Sequence, residues 1–163
     1  MKQESDNSIL LQELFAKIGQ LLECDGITQL TKGNSVIQAL VDEKTPVLIN
    51  FVPNQQAKED EYILQIYFSL GKLRTTKTSL LLERLEELNR HVTLGSLCFL
   101  SDLEIGYKHR MPIKVSTMNQ AITNFECSMQ LMLLFLLTYL PYVQILAEAP
   151  ETITLARYLE EEG

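Results

Sequence analysis

Few residues in this sequence are histidines or cysteines, the types that most readily act as a general base or a thiolate nucleophile. The histidines are His91 and His109, and the cysteines are Cys24, Cys98 and Cys127. A catalytic imidazole or thiol is activated by a neighbouring group within hydrogen-bonding distance. None of the five lies in a nucleophile elbow, a zinc-binding helix motif or a glycine-rich phosphate loop. The sequence therefore predicts no catalytic residue and a protein that is not an enzyme.

Neighbouring residues favour structural roles for His109 and for two of the thiols. His109 follows Ile105 and Tyr107 in an alternating pattern, which is typical of a histidine packed on one side of a strand. Cys98 lies inside an apolar strand segment, and Cys127 opens an apolar helix segment. We expect both cysteines to fill the core as reduced thiols in a reducing compartment.

No cluster of residues predicts a metal or a cofactor. The acidic run Glu59–Glu61 lacks the spaced ligands and the glycine of a calcium loop, so we interpret it as a solvated turn. The cysteines and histidines form no CxxC pair or zinc-type cluster. Lys72, Arg74 and Lys77 form a basic patch. We interpret this patch as a solvated connection, with contact to an acidic partner segment as the alternative.

The composition is that of an acidic globular domain. The chain has 163 residues, 46% of them hydrophobic, and 21 acidic side chains against 14 basic ones give a net charge of −7. These values predict a single domain over residues 1–163, with its core over 8–145. The negative charge disfavours nucleic acid and anionic membranes as partners. Residues 1–8 lack the pattern of a signal peptide, so we expect a cytoplasmic protein.

Helical patterns occur in four segments, where apolar residues recur every three or four positions. The first covers residues 8–22 and the second residues 79–90. The third begins near residue 118 and becomes apolar almost all round, and Pro141 is expected to kink or end it. A short tail helix is expected over residues 152–161.

Strand patterns lie between these helices. Five segments are β-branched or alternate between apolar and polar residues: 36–41, 47–52, 62–68, 96–100 and 103–111. Short polar breaks favour hairpins between the first two segments and between the last two. The order is α-βββ-α-ββ-α. Runs of strands without strict alternation with helices favour an α+β fold, with one mainly antiparallel sheet covered by helices.

The third helix carries an unusually long apolar segment. Residues 127–147 contain no charged side chain and are numerous enough to cross a bilayer. Polar residues and Pro141 interrupt the segment, however, and no cluster of Lys or Arg flanks it. We therefore expect a helix buried against the sheet and a partner subunit, and no membrane span.

A known family shares this element order and part of the sequence. The stretches Leu88–Phe99 (LNRHVTLGSLCF) and Leu103–Pro112 (LEIGYKHRMP) resemble the YbjN-type sensory-transduction-regulator family, whose fold is similar to that of class I type III secretion chaperones. The shared pattern is a helix ending in Leu-Asn, a Gly-Ser-x-x-Phe strand, an Ile-x-Tyr strand and a proline before a long helix. The resemblance covers about residues 10–145, and the apolar third helix and the tail depart from it. It implies a type III secretion chaperone-like fold and a small acidic homodimer that binds proteins without catalytic residues.

Apolar side chains in excess of what one sheet face needs are typical of a protein interface. We expect a homodimer and an unidentified protein partner, bound through the third helix and the tail by Met129, Met132, Leu133, Leu136, Leu140 and Tyr158. The predicted function is a non-catalytic chaperone-like or adaptor domain. The alternative is a regulatory domain that binds a small ligand in a pocket between the sheet and the third helix. An enzyme and a membrane-attached protein rank behind both.

Overall fold

A computed structural model describes residues 2–32, 36–54 and 60–162. Its helices are α1 (Lys2–Cys24), α2 (Thr78–Asn89), α3 (Met118–Glu148) and α4 (Leu155–Glu162). Its strands are β1 (Thr28–Lys32), β2 (Val36–Val41), β3 (Thr45–Pro53), β4 (Glu61–Lys72), β5 (Ser96–Ser101) and β6 (Glu104–Lys114). The strands form one antiparallel sheet in the order β1-β2-β3-β4-β6-β5. The predicted α+β class, with one antiparallel sheet and covering helices, is confirmed.

The predicted order α-βββ-α-ββ-α lacked one strand, β1. This strand pairs antiparallel with β2, with Thr28 opposite Leu40. The side-chain amide of Gln29 donates to the carbonyl oxygen of Gly19 at 2.8 Å and to a carboxylate oxygen of Glu23 at 3.0 Å. The ladder to β2 and the side-chain hydrogen bonds of Gln29 to α1 hold this short strand, whose sequence has no apolar alternation.

The chain forms two compact units. The first comprises Met1–Phe68 and His109–Met129, and the second comprises Ser69–Lys108 and Gln130–Gly163. The chain path of β4, β6 and α3 contributes to both units. The single domain over residues 1–163 stays a prediction.

The first unit has its core between α1 and one face of the sheet. Alternate residues of β2, β3 and β4 are buried, as the two-residue period of a strand requires: Ile37, Ala39, Val47, Ile49, Phe51, Leu64, Ile66 and Phe68. The rings of Phe15 in α1 and Phe51 in β3 meet edge to face, with centroids 4.7 Å apart. The intervening side chains of β2 and β3 are half-buried or exposed. The two faces of these strands therefore differ in burial.

The second unit has its core around α2, β6 and α3. The predicted apolar stripe of α2 is confirmed, since Leu81, Leu85 and Leu88 are all buried. The rings of Tyr107 in β6 and Phe135 in α3 lie 4.7 Å apart. These contacts fix one side of α3 in the interior.

We predicted that Pro141 would kink or end α3, and it does not end the helix. The helix continues to Glu148, although a proline removes one backbone donor from the helical ladder. In this turn the hydroxyl of Tyr158 donates to the carbonyl oxygen of Thr138 at 2.9 Å. The rings of Tyr142 and Tyr158 also lie 5.0 Å apart. α4 therefore supports α3 next to the proline.

Candidate functional site

The histidines and cysteines occupy separate elements. His91 is exposed after α2, and His109 is half-buried on β6, where burial lowers its pKa. Cys98 is half-buried on β5, and Cys127 is exposed on α3. The predicted core role of Cys127 is wrong, because the helix turns this side chain away from the buried face of α3. Within the three described ranges, no group of three metal-ligating side chains could hold an ion.

The acidic run that leads into β4 is bonded to residues at and just after the end of β6. A carboxylate oxygen of Asp60 accepts a hydrogen bond from the Ser116 hydroxyl at 2.9 Å. Glu61 pairs with the ammonium group of Lys114 at 3.2 Å. Glu59 lies outside the described residues. The interactions of Asp60 and Glu61 thus join two segments of the first unit.

Two residues of the basic patch form salt bridges with carboxylates of the same chain. Arg74 pairs with Glu148 at 3.1 Å, and Lys77 pairs with Glu151 at 2.7 Å. The backbone N–H of Arg74 also donates to the carbonyl oxygen of Ala147 at 2.9 Å. The contacts of Arg74 engage a carbonyl oxygen and a carboxylate at the C-terminal end of α3. The helix dipole favours a cationic side chain at this end.

The stretch that carries the family resemblance has a structural explanation. Gly95 has a φ of +76°, and a Cβ atom there would collide with the carbonyl oxygen of Lys108. The hydroxyl of Tyr107 donates to the carbonyl oxygen of Leu94 at 2.5 Å. The glycine and the tyrosine of the shared pattern therefore hold the β5–β6 hairpin against the turn before it.

Most of the side chains predicted to bind a partner lie in the interior. Met129, Met132, Leu136 and Tyr158 are buried, and Leu133 and Leu140 are half-buried. Buried side chains cannot contact a partner in this fold. The surface that α3 offers therefore consists of other residues, on the opposite side of the helix.

That opposite side is exposed and mainly apolar. Leu131 is 41% exposed, Leu134 60%, Leu137 79% and Ile145 36%, and Pro141 is also exposed. These five residues are termed the α3 exposed face. No charged residue occurs between positions 127 and 147. Gln130, Thr138 and Gln144 are exposed on the same side. A surface without charge that exposes several large apolar side chains is the strongest feature of α3 for binding another molecule.

Two cavities flank the α3 exposed face. One, of about 230 Å³, is lined by His91, Thr93 and α3 residues between Leu131 and Tyr139. The other, of about 600 Å³, is lined by the end of β4, by Arg74 and by α3 residues between Pro141 and Glu148. Both lie within the second unit, so either can extend a contact made by α3.

The same helix has the length and apolar character of a membrane span. Within the described residues, the segment Val115–Glu148 is the one helix that meets this test, with 34 residues. Buried helices of water-soluble proteins also meet it.

The sequence matches no protein-family model, and a comparison with curated proteins finds no match. The resemblance to the YbjN-type family therefore stays a prediction that rests mainly on residues 85–112. The candidate site is accordingly argued from the exposure and charge of its side chains.

Proposed function

We propose that this chain is a non-catalytic protein-binding domain, chaperone-like or adaptor in role, which works in the cytoplasm as a homodimer. The observation that supports this proposal is the α3 exposed face, which presents large apolar side chains to water. Burying a leucine or isoleucine side chain gains about 1.5–3 kcal/mol relative to leaving it exposed. A protein that covers several of these side chains at once therefore gains a strong contact.

The charge of the chain supports a protein as the ligand. With a net charge of −7, the chain disfavours nucleic acid and anionic lipid. The α3 exposed face has no charge of its own, so electrostatics does not oppose a protein surface that is also uncharged and apolar. The YbjN-type resemblance implies the same role.

Affinity capture from the native host tests this function. The tagged wild-type chain is compared with the double variant Leu134→Glu/Leu137→Glu and with the control Leu82→Glu. Leu82 is also a half-exposed leucine, at 46%, but lies on α2. We expect the wild type and the control to capture the same set of proteins. The double variant should not capture this set. Retention of the same set by a folded double variant would contradict the proposal.

The larger cavity supports a second candidate function. Its walls come from β4 (Leu70–Lys72) and α3, which is where a small-ligand domain would hold a pocket between the sheet and the third helix. Its volume of about 600 Å³ lies within the range of ligand pockets. Native mass spectrometry of the purified protein tests this function. A retained small molecule that is lost from an Arg74→Ala variant would favour the ligand-binding role.

A further inference from the structure

We propose that the cavity of about 600 Å³ in the second unit binds an organic anion that has an apolar body. This inference rests on the second candidate function, which is ligand binding, and names the chemical class of the ligand. The charges of the cavity wall, the free donors of Arg74 and the apolar part of the wall support this class.

The wall of this cavity carries more positive than negative charge. Among the described residues that line it, Lys72 and Arg74 are cationic and Glu148 alone is acidic. Arg74 and Glu148 pair at 3.1 Å, whereas no carboxylate of the described residues pairs with Lys72. Salt screens charges that lie beyond about 10 Å. An anion in the cavity therefore meets the uncompensated charge of Lys72 more strongly than the net charge of −7 of the whole chain.

Arg74 can bind an anion without losing its salt bridge. Its Nη1 atom donates to Glu148, and its side chain is 75% exposed. A guanidinium group has several other N–H donors, which suit a carboxylate or a phosphate. The backbone N–H groups of Arg74 and Thr75 donate to the carbonyl oxygen of Ala147 at 2.9 and 3.1 Å. These bonds fix the cationic segment beside the end of α3, so the anion meets a largely preformed site.

The rest of the wall is mostly apolar. Leu70, Pro141, Ile145 and Ala147 contribute to it. Gly71 also lines the cavity, and apart from its chain neighbours no atom lies within 4 Å of the position of a Cβ there. Ligand sites combine an apolar lining with a few placed polar groups. The cavity therefore suits an anionic group at the two cations, joined to an apolar body beside α3.

Neutral and cationic ligands fit this wall less well. A neutral apolar molecule would remove water from the ammonium group of Lys72 without offering it a partner, and burial of an unpaired charge is costly. A cationic ligand would meet Lys72 and Arg74, and like charges repel. We therefore expect the affinity to be highest for a ligand with negative charge.

Titration calorimetry of the purified chain with three amphiphilic probes tests this class. Octanoate, 1-octanol and octylammonium share one alkyl chain, and their head groups are anionic, neutral and cationic. We expect octanoate to bind about tenfold more tightly than 1-octanol, which is the lower end of the contribution of a hydrogen bond to a charged group. Octylammonium should bind most weakly.

Three variants locate the bound anion. Lys72→Gln should weaken octanoate binding about tenfold and leave 1-octanol binding unchanged. Lys77→Gln is the matched control, because Lys77 belongs to the same basic patch but pairs with Glu151 and does not line the cavity. Leu134→Ser/Leu137→Ser is the control for the α3 exposed face, since neither leucine lines the cavity. Both controls should bind octanoate as the wild type does.

Four results would overturn the inference. These are equal affinities for octanoate and 1-octanol, equal losses of octanoate binding in Lys72→Gln and Lys77→Gln, loss of octanoate binding in Leu134→Ser/Leu137→Ser, and no octanoate binding by the folded wild type. The ligand-binding role fails separately. If 1-octanol binds as tightly as octanoate, the cavity still holds ligands and only the anionic class is wrong. If no probe binds and native mass spectrometry finds no retained molecule, the ligand-binding role is wrong as well.

Discussion

The side-chain amide of Asn89 forms two hydrogen bonds with the backbone of Leu97. The Leu97 N–H donates to Oδ1 of Asn89 at 2.7 Å, and Nδ2 of Asn89 donates to the Leu97 carbonyl oxygen at 3.2 Å. β5 is an edge strand of the sheet. The last residue of α2 therefore occupies two backbone groups with which another strand would pair.

Asn89→Ala should destabilise the fold by about 1–3 kcal/mol, because it leaves two half-buried backbone groups without partners. Urea unfolding measures the change. Asn124→Ala is the control, since the Asn124 amide is exposed and accepts from the Gln120 side chain. That control should cost less than about 0.5 kcal/mol. Equal losses in the two variants would show that the Asn89–Leu97 bonds do not stabilise this edge.

Gly95→Ala should destabilise the protein more than Gly26→Ala does. Both glycines have positive φ, +76° and +74°, so both variants carry the backbone strain of a left-handed alanine. Only at Gly95 does the added methyl also meet the carbonyl oxygen of Lys108. We expect the difference to be about 1–3 kcal/mol, the range for overpacking. Thermal unfolding of the pair measures it, and equal costs would contradict the close approach at Gly95.

Alkaline pH should weaken the fold through two tyrosines. Burial raises the pKa of Tyr107 from 10.0 to about 12, and burial followed by the charge of Glu87 does the same for Tyr142. A folded pKa above the unfolded value means that the contribution is fully present below pH 10 and is lost as pH rises through about 12. Unfolding free energies across this interval should fall more steeply for the wild type than for Tyr107→Phe/Tyr142→Phe. If the unfolding free energies of the two proteins fall equally with pH, the buried tyrosines are not the cause of the loss.

Tyr158→Phe should cost about 0.5–1.5 kcal/mol, since it removes the hydrogen bond to the Thr138 carbonyl but keeps the ring. Tyr139→Phe is the matched control, because Tyr139 packs its ring 5.0 Å from that of Phe135. Urea unfolding compares the two. A neutral Tyr158→Phe would mean that α4 supports α3 by ring packing alone.

Regular periodicity made most of the fold predictable from sequence. The two-residue alternation around Ile49 and Ile66 predicts strands. The stripe of Leu81, Leu85 and Leu88 predicts a helix. β1 has no such pattern, and its pairing with β2 and the hydrogen bonds of Gln29 to α1 cannot be foreseen from alternation. The contact of Tyr158 with the turn of α3 that contains Pro141 joins elements distant in the sequence, so local pattern could not anticipate it.

The exposed side of α3 could not be assigned from sequence because the helix is apolar on every side. Met132 and Leu134 are equally apolar in the sequence, yet Met132 is fully buried and Leu134 is 60% exposed. The packing of Phe135 on Tyr107 decides which side faces inward. The polar residues Gln130, Thr138 and Gln144 carried the one signal for the outer side, since all three are exposed.

Light scattering of the purified chain at micromolar concentration tests the central claim most directly, namely that the α3 exposed face is covered by protein. We expect a mass of about 37 kDa, twice the 18.6 kDa of one chain, for the wild type and for Leu82→Glu. The variant Leu134→Glu/Leu137→Glu should give 18.6 kDa, with circular dichroism unchanged. A wild-type chain that remains at 18.6 kDa without detergent, or a folded double variant that stays at 37 kDa, would contradict the account.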